Sequence, residues 1–346
     1  MTAGAWLRER FPVDGDQLRE LTNEPVPAHL KRWWFCLGGT PAYLFVVQIV
    51  TGILLAFYYQ ASENGAYESV RHITEDVAYG WFLRGVHKWG ATLMVASVIL
   101  HQMRVYFTGA YRKPRELNWV VGMFLLLCTL MLGFTGYSLV GEQLSYWAAT
   151  VGANITNNVP VIGPTLGRLM IAGDQINEQT LPRFFILHGA VLPVALILLL
   201  FLHITILRLH GVTEFGATEA EKKKTFDFFP DHFLTELTIG LVLMILLAVL
   251  ATVYPVTMGP PADPLSTPEV IKPEWFFLVT FRWLKLMPIT AAILSLGFIF
   301  FVMLVWPFVD AWIRRRRPAS ELSVLVGILA VLAIIGLTTW EALVDH

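Results

Sequence analysis

HKWGATLMVASVILH, residues 87–101, and HGAVLPVALILLLFLH, residues 188–203, are the two stretches that decide the fold of this 346-residue chain. Histidines end both stretches, 14 residues apart in the first and 15 in the second. At 3.6 residues per turn, both spacings return to roughly one face of a helix, with the ends ~21–22 Å apart along its axis. Each stretch therefore predicts an apolar helix that carries two histidines on one face.

The composition is that of a membrane protein. Hydrophobic residues make up 55% of the chain and charged residues 15%, with a mean hydropathy of +0.59, whereas about 25% charged residues is typical of soluble domains. The net charge of −1 shows no excess of positive charge of the kind that binds nucleic acid. Two cysteines supply neither a disulfide framework nor paired zinc ligands. We therefore expect an all-α, polytopic membrane protein.

Seven apolar segments are each long enough to cross a hydrocarbon core of ~30 Å. A polar stretch, 211–232, divides them, so we expect an N-terminal segment at the membrane interface (1–32), a four-helix unit (33–210), a polar connection and a three-helix unit (233–346). The two long connections 141–183 and 255–288 are predicted to form surface helices. The seven segments are 33–59, 83–107, 119–139, 184–208, 234–254, 289–312 and 322–340.

The loop charges predict the orientation of the chain in the membrane. Four basic clusters fall on one side if the spans alternate, and most of the acidic loop residues fall on the other. We therefore place the N-terminus in the cytoplasm and the C-terminus outside, in a bacterial cytoplasmic membrane. The basic clusters are Lys31-Arg32, Arg112 to Arg115, Lys222 to Lys224 and Arg314 to Arg317.

Glycines repeat the spacing of the first histidine pair. Gly38 and Gly52 in the first span are 14 residues apart, as are Gly122 and Gly136 in the third. Glycine leaves room for a bulky group beside a helix, although small residues also serve ordinary helix packing in membranes. Two glycine pairs in register with two histidine pairs favour clearance for two stacked haems.

Antiparallel packing of the two histidine helices is expected to pair His87 with His188 near the outer face and His101 with His203 near the cytoplasmic face. Two imidazoles on each iron fill both axial positions, which favours electron transfer over ligand activation. Cations within a turn or so of these histidines are candidates for binding haem propionates, and snorkelling at span ends explains any one of them equally well. They are Arg84, Lys88, Arg104 and Arg208.

The chain resembles cytochrome b of the Rieske/cytochrome b family over almost its whole length. The 15-residue spacing and Cys36 resemble the cytochrome bf type of plastids and cyanobacteria, a pattern shared by some bacterial menaquinol complexes. The bf type divides this polypeptide at 211–232, where the present chain is continuous. The matching motifs include Phe35-Cys-Leu-Gly-Gly39, Arg104-Val-Tyr-Phe-Thr-Gly109, Lys113-Pro-Arg-Glu116, Gly136-Tyr-Ser-Leu139, Pro160-Val-Ile-Gly163 and Pro273-Glu-Trp275.

The resemblance gives Cys36 a role that spacing does not. In the bf type, the cysteine at this motif holds a third haem by one thioether bond, so a third haem at Cys36 is implied. There is no Cys-x-x-Cys-His signature. A free cysteine is otherwise a small buried hydrophobe, which is how we interpret Cys128. Glu236 begins the fifth span on the same side and is either a contact at this site or a simple helix-start residue.

The resemblance also implies a quinol site at the outer side. Glu274 in the Pro-Glu-Trp loop is the implied proton acceptor, although without the resemblance a solvated rim residue would be the favoured interpretation. The family's tyrosine after Pro-Glu-Trp is replaced here by Phe276, so a hydroxyl contact is lost. Residues implied to line the quinone pocket are Tyr137, Trp147, Pro273, Trp275 and Phe276.

These expectations combine into one function with two rivals. The resemblance implies a subunit of a quinol:cytochrome c-type oxidoreductase, acting on quinol or menaquinol, with a Rieske iron–sulfur protein, a c-type cytochrome and a second copy of the chain as partners. One rival is a di-haem anchor of a dehydrogenase or hydrogenase, which would lack the Pro-Glu-Trp loop. The other is a transporter with membrane histidines as metal or proton ligands, which would be expected to show broken helices.

Overall fold

The computed structural model describes residues 25–27, 36–211, 213, 224–227, 233–268 and 270–344. Within these ranges the chain is all-α, apart from the short antiparallel pair β1 (Pro25–Pro27) and β2 (Thr225–Asp227). The helices of the described ranges are α1 (Gly39–Ala56), α2 (Ala66–Glu75), α3 (Gly80–Phe107), α4 (Glu116–Ser138), α5 (Gln143–Asn157), α6 (Gly163–Ile171), α7 (Thr180–His210), α8 (Phe233–Val253), α9 (Leu278–Lys285), α10 (Ile289–Arg316) and α11 (Leu322–Leu343).

Seven long helices match the seven predicted spans to within a few residues at most ends. Six of the described helices are both long and apolar enough to cross a membrane: α1, α4, α7, α8, α10 and α11. The seventh, α3, has 28 residues, about 42 Å at 1.5 Å per residue. It falls short in composition because it carries two histidines together with Arg84, Lys88 and Arg104. The polar residues that lower its hydropathy include five predicted site residues.

The expected antiparallel packing of the histidine helices is wrong, although the pairing itself is confirmed. The ring of His87 lies against that of His188, and the ring of His101 lies against that of His203. Pairing first with first and second with second requires α3 and α7 to run in the same direction. An antiparallel pair would place His87 beside His203. One span, α4, lies between α3 and α7 in the sequence. Because successive spans cross the membrane in opposite directions, α3 and α7 run in the same direction.

A π-helical turn accounts for the unequal histidine spacing. Helix α7 contains one such turn at Leu187–Val191, which includes His188. A π turn inserts one extra residue into an α-helix. The 15-residue spacing in α7 therefore covers the same length and returns to the same face as the 14-residue spacing in α3. Both histidine pairs can then meet at matching depths.

Each glycine-bearing helix packs along one histidine helix, α1 along α3 and α4 along α7. The three-helix unit joins this bundle through α8, which packs on α3 where Gly85 lies against Ala251. A Cβ atom at Gly85 would be 2.9 Å from that of Ala251, so the small residues set this close approach. The buried cluster that unites the two units consists of Leu44, Phe45, Val86, Met94, Leu196, Leu247 and Ala251.

The long connections form surface helices, as expected. Residues 141–183 contain α5 and α6, and residues 255–288 contain a 3-10 turn at Trp275–Phe277 that leads into α9. The predicted interfacial segment 1–32 lies outside the described residues except for β1. Of the polar connection 211–232, only 211, 213 and 224–227 are described.

Candidate functional site

The four histidines form two facing pairs whose separation suits an iron between them. The ring centroids are 6.2 Å apart for His87 and His188, and 6.4 Å apart for His101 and His203. An imidazole nitrogen binds a first-row metal at about 2.0–2.1 Å and lies roughly 1.1 Å from its ring centre. Two imidazoles on opposite sides of one iron therefore have centroids about 6.3 Å apart. Both pairs fit a haem with two histidine ligands.

Hydrogen bonds fix the tautomer of the outer pair. The hydroxyl of Thr51 donates to the carbonyl of Val47 at 2.7 Å, so its oxygen accepts from Nδ1 of His87 at 2.8 Å. The proton on Nδ1 leaves Nε2 of His87 as the unprotonated nitrogen that a metal requires.

Thr135 does the same for His188. Its hydroxyl donates to the carbonyl of Met131 at 2.8 Å, and its oxygen accepts from Nδ1 of His188 at 3.2 Å. These two threonines were not among the predicted site residues. The signal that could have found them is that each immediately precedes a glycine of the 14-residue pattern, in Thr51-Gly52 and Thr135-Gly136.

All four patterned glycines face the imidazole rings. A Cβ atom at Gly136 would lie 2.6 Å from Cε1 of His188, and the corresponding distances are 3.3 Å for Gly52 and His87, 3.3 Å for Gly38 and His101, and 3.7 Å for Gly122 and His203. Contacts under about 3 Å leave no room for a side chain. The nearest neighbour of each glycine is thus a histidine ring, where the sequence had led us to expect the macrocycle.

Near His101, Cys36 is buried just before α1 and is not in a disulfide. The carboxylate of Glu236 lies beside its thiol. A Cβ atom at Gly39 would also meet that carboxylate, at 2.5 Å from Oε2. The structure therefore brings Glu236 of α8 to Cys36. Arg104 follows His101 by one turn in α3, and Arg208 is exposed near the end of α7.

Near His87, two of the four predicted propionate cations have protein partners. Arg84 donates to the carbonyl oxygen of Val256 at 2.9 Å and to the Thr74 hydroxyl at 3.3 Å. Lys88 forms an ion pair with Glu274. Arg84 thus joins α3 to the loop after α8, and Lys88 joins α3 to the Pro-Glu-Trp loop.

The side chain of Glu274 is partly buried beside His87 of the His87–His188 pair. It is 19% exposed, and the side chain of Lys88 is 39% exposed. The ammonium of Lys88 is also 5.4 Å from the centre of the Tyr137 ring, within range of a cation–π interaction. Since Lys88 directly follows His87, the structure brings Glu274 and Tyr137 together next to that histidine, as predicted.

The other residues predicted to line the quinone pocket lie in two different places. Phe276 packs on α4, where a Cβ atom at Gly133 would be 3.0 Å from its ring. Trp275 stacks edge-on against Phe276 and remains partly exposed. Trp147 instead donates to the carbonyl of Ser266 at 3.2 Å, which attaches it to the loop seven residues before Pro273. Gly133 lies outside the 14-residue pattern, so no sequence pattern pointed to it.

The segment that follows α4 pairs with the loop after α8. The carboxylate of Glu142 accepts from the backbone N–H of Gly259 at 2.8 Å, and Gln143 donates to Asp263 at 3.3 Å. Glu142 also forms an isolated bridge with Pro261. These contacts give Glu142 a structural role in joining the end of α4 to the loop after α8.

Comparisons with known proteins agree with this arrangement. Residues 21–211 match the family model described as cytochrome b/b6/petB, and residues 261–344 match the one described as cytochrome b(C-terminal)/b6/petD. The chain is 46% identical to cytochrome b6 of Heliomicrobium gestii over 209 residues, which cover 60% of this chain and 98% of that protein.

Two of the matching proteins cover almost the whole chain. The cytochrome b subunit of the cytochrome bc complex of Chlorobaculum thiosulfatiphilum is 36% identical over 99% of this chain and 81% of its own length. A chain of a hyperthermophilic respiratory Complex III superposes with a TM-score of 0.85 at 25% identity, over 99% of this chain and 92% of the other. The first similarity thus extends across the connection 211–232 into the three-helix unit.

Proposed function

This chain belongs to the cytochrome b family, and from that membership we propose that it is the quinol-oxidising subunit of a bc-type complex running a Q cycle. Its family makes it a multi-pass electron-transfer subunit of an oxidoreductase that contains further subunits. The proposal adds that quinol is oxidised on the outer side and that quinone is reduced on the cytoplasmic side.

The facing histidine pairs carry this proposal. His87 with His188 would hold the outer b haem, and His101 with His203 the inner one, because both ring separations fit one iron. When bound, the two haems supply one-electron carriers across the membrane. The glycines keep side chains away from the ligand rings, and the threonines hold two of those rings in the required tautomer.

At the outer site, quinol must lose two protons with its two electrons. Glu274 accepts one of these protons in the proposal, and its ion pair with Lys88 holds the carboxylate beside the outer histidines. Tyr137, Trp275 and Phe276 supply the aromatic surface for the ring. Trp147 is proposed to act indirectly, because its indole N–H binds the carbonyl of Ser266 in the loop before Pro273.

The second electron acceptor at the outer site must be a partner. The whole chain has two cysteines, too few for a four-cysteine iron–sulfur cluster, and Cys36, which the two-cysteine set of a Rieske cluster would also need, is assigned below to a haem. We therefore propose a Rieske iron–sulfur protein and a c-type cytochrome as partners, with two copies of the chain in the complex. The proposed location is a bacterial cytoplasmic membrane with the N-terminus inside.

A reduced-minus-oxidised absorption spectrum of the purified complex tests the function. We expect b-type bands equivalent to two haems per chain and quinol-dependent reduction of a c-type cytochrome. A di-haem anchor would show the bands without that activity, and a transporter would show neither. Absence of b-type bands would refute the proposal.

Cys36 is proposed to bind a third haem covalently, because it is buried two residues before Gly38, which faces the ring of His101. Denaturing electrophoresis with haem staining should show one stained band for the wild type, since a thioether bond survives denaturation. We expect Cys36→Ser to abolish the stain and the matched variant Cys128→Ser to keep it. An unstained wild-type chain, or a stained Cys36→Ser variant, would contradict this assignment.

A further inference from the structure

The last turn of α11 holds a carboxylate that the proposed chemistry does not use. Glu341 is fully buried. Its Oε1 atom lies 2.7 Å from Nζ of Lys285, and its Oε2 atom lies 3.5 Å from Arg282. Both cations belong to α9, which is the helix that follows the Pro-Glu-Trp loop. A buried carboxylate therefore fastens α9 to the end of α11.

The cations are also held by aromatic rings. The guanidinium of Arg282 lies 3.6 Å from the centre of the Trp340 ring, and the ammonium of Lys285 lies 4.2 Å from that of Phe281. Cations over aromatic faces gain further attraction when they are shielded from water. Arg282 is thus fixed between the two neighbouring residues Trp340 and Glu341.

A third cation reaches the same helix end from the other side of the loop. Lys272 donates to the backbone carbonyl oxygens of Ala342 at 3.3 Å and Val344 at 2.8 Å. Cations are favoured at a helix C-terminus, where carbonyl groups lack helical partners. The loop residues between Lys272 and α9 include Glu274. Both ends of this short segment are therefore attached to the last turn of α11.

The path from this anchor to Glu274 is stiff. A 3-10 turn at Trp275–Phe277 runs directly into α9, and the N–H of Phe277 donates to the carbonyl of Glu274 at 2.8 Å. Arg282 lies eight residues after Glu274, about 12 Å at 1.5 Å per residue. A shift of α9 would therefore be transmitted to Glu274 with little loss.

We infer that Glu341 is a positioning residue for the outer quinol site, which it serves by holding the segment that carries Glu274 through Arg282 and Lys285. This inference rests on the proposed function. Glu341 contacts Arg282 and Lys285, so it acts through α9. Displacing reacting groups by about 1 Å can lower a rate by about 100-fold. A small shift of α9 on loss of the Glu341 ion pairs would therefore lower the rate of quinol oxidation.

The opposite end of α11 offers a matched control. Asp310 is 1% exposed, lies 2.9 Å from Arg112 and 3.2 Å from Arg314, and contacts Ser323 in the first turn of α11. Both sites are buried carboxylates with two cationic partners, so loss of either charge should lower stability to a similar extent. Only the Glu341 cluster connects to the Pro-Glu-Trp loop.

The experiment compares Glu341→Gln and Asp310→Asn in the intact complex with a short-chain naphthoquinol as substrate. With both b haems present by difference spectrum, we expect Glu341→Gln to lower kcat/KM by about 10-fold or more. Asp310→Asn should stay near the wild-type value, and Glu341→Asp should recover part of the loss. Wild-type kcat/KM in Glu341→Gln, or an equal loss in Asp310→Asn, would overturn the inference.

Two further observations keep the inference testable. If Glu341→Gln does not assemble, Lys272→Met removes the other attachment and should lower kcat/KM about threefold; an unchanged value would overturn the inference. Reduction of the b haems from the inner side should be unaffected in Glu341→Gln, and slowing there would also count against it. A wild-type complex with haems but no quinol oxidation would instead refute the proposed function.

Discussion

Replacing Gly136 by valine is expected to remove the outer haem and leave the inner one in place. A Cβ atom at this position would already lie 2.6 Å from Cε1 of His188, and 3.2 Å from both ring nitrogens. The branched valine side chain adds two more methyl groups in a packed interior, so the ring must leave its position. The b-type absorbance per chain should fall by about half.

Gly189 provides the matched control because it adjoins His188 and a Cβ atom there would meet nothing within 4 Å. Gly189→Val should retain both haems. Alanine at Gly122 is a second comparison, since its Cβ would lie at an ordinary contact distance of 3.7 Å from His203. Full haem content in Gly136→Val, or loss in Gly189→Val, would show that the glycine contact does not control ligand placement.

The consequence for turnover should exceed the consequence for haem content. The outer haem site adjoins Glu274, and an outer quinol site without its electron acceptor has only the proposed Rieske partner to receive electrons. We expect the quinol:cytochrome c reductase rate of Gly136→Val to fall to background while the inner haem remains reducible. Both quantities can be measured on one preparation, so misfolding of the whole chain is separated from loss of the outer site.

The sequence predicted the helices because long apolar segments and a 14-residue register are local properties. The direction of α7 relative to α3 was predicted wrongly, although counting spans would have been enough to avoid the error. The π turn at Leu187–Val191 was not predicted, although Pro193 just after it lacks the backbone N–H that a regular helix would use there. The effect of this turn depends on the contact between His188 and His87, because the extra residue in α7 matches the histidine spacing of α7 to that of α3.

Site residues that depend on tertiary contacts were harder to predict. Lys88 was expected at a haem propionate, yet in the structure its partner is Glu274, 186 positions later in the chain. Glu341 had no predicted role, since an acidic residue near a helix end is usually a solvated one. Its burial depends on Arg282 and Lys285 arriving from α9. Neither the periodicity nor the composition of a sequence predicts long-range ion pairs of this kind.

Replacing Glu274 by glutamine is expected to lower outer-site quinol oxidation by about 100-fold or more, since proton transfer by a positioned group contributes about 10²–10⁴-fold. Glutamine has nearly the same shape but cannot accept the quinol proton. It also removes the charge that pairs with Lys88. The rate should be measured by stopped-flow as quinol-dependent reduction of the outer haem.

Glu142 is the matched control for Glu274, because it is a second carboxylate of the outer face whose contact is a backbone amide, that of Gly259 at 2.8 Å. Glutamine can accept the same hydrogen bond through its carbonyl oxygen, so Glu142→Gln should keep the wild-type rate. Haem spectra of both variants should match those of the wild type. A Glu274→Gln rate within twofold of the wild-type value would mean that the proton leaves by another group. Lys88 lies beside both Glu274 and Tyr137, so Tyr137→Phe would then be the next variant, since the phenol oxygen can also accept a hydrogen bond from quinol.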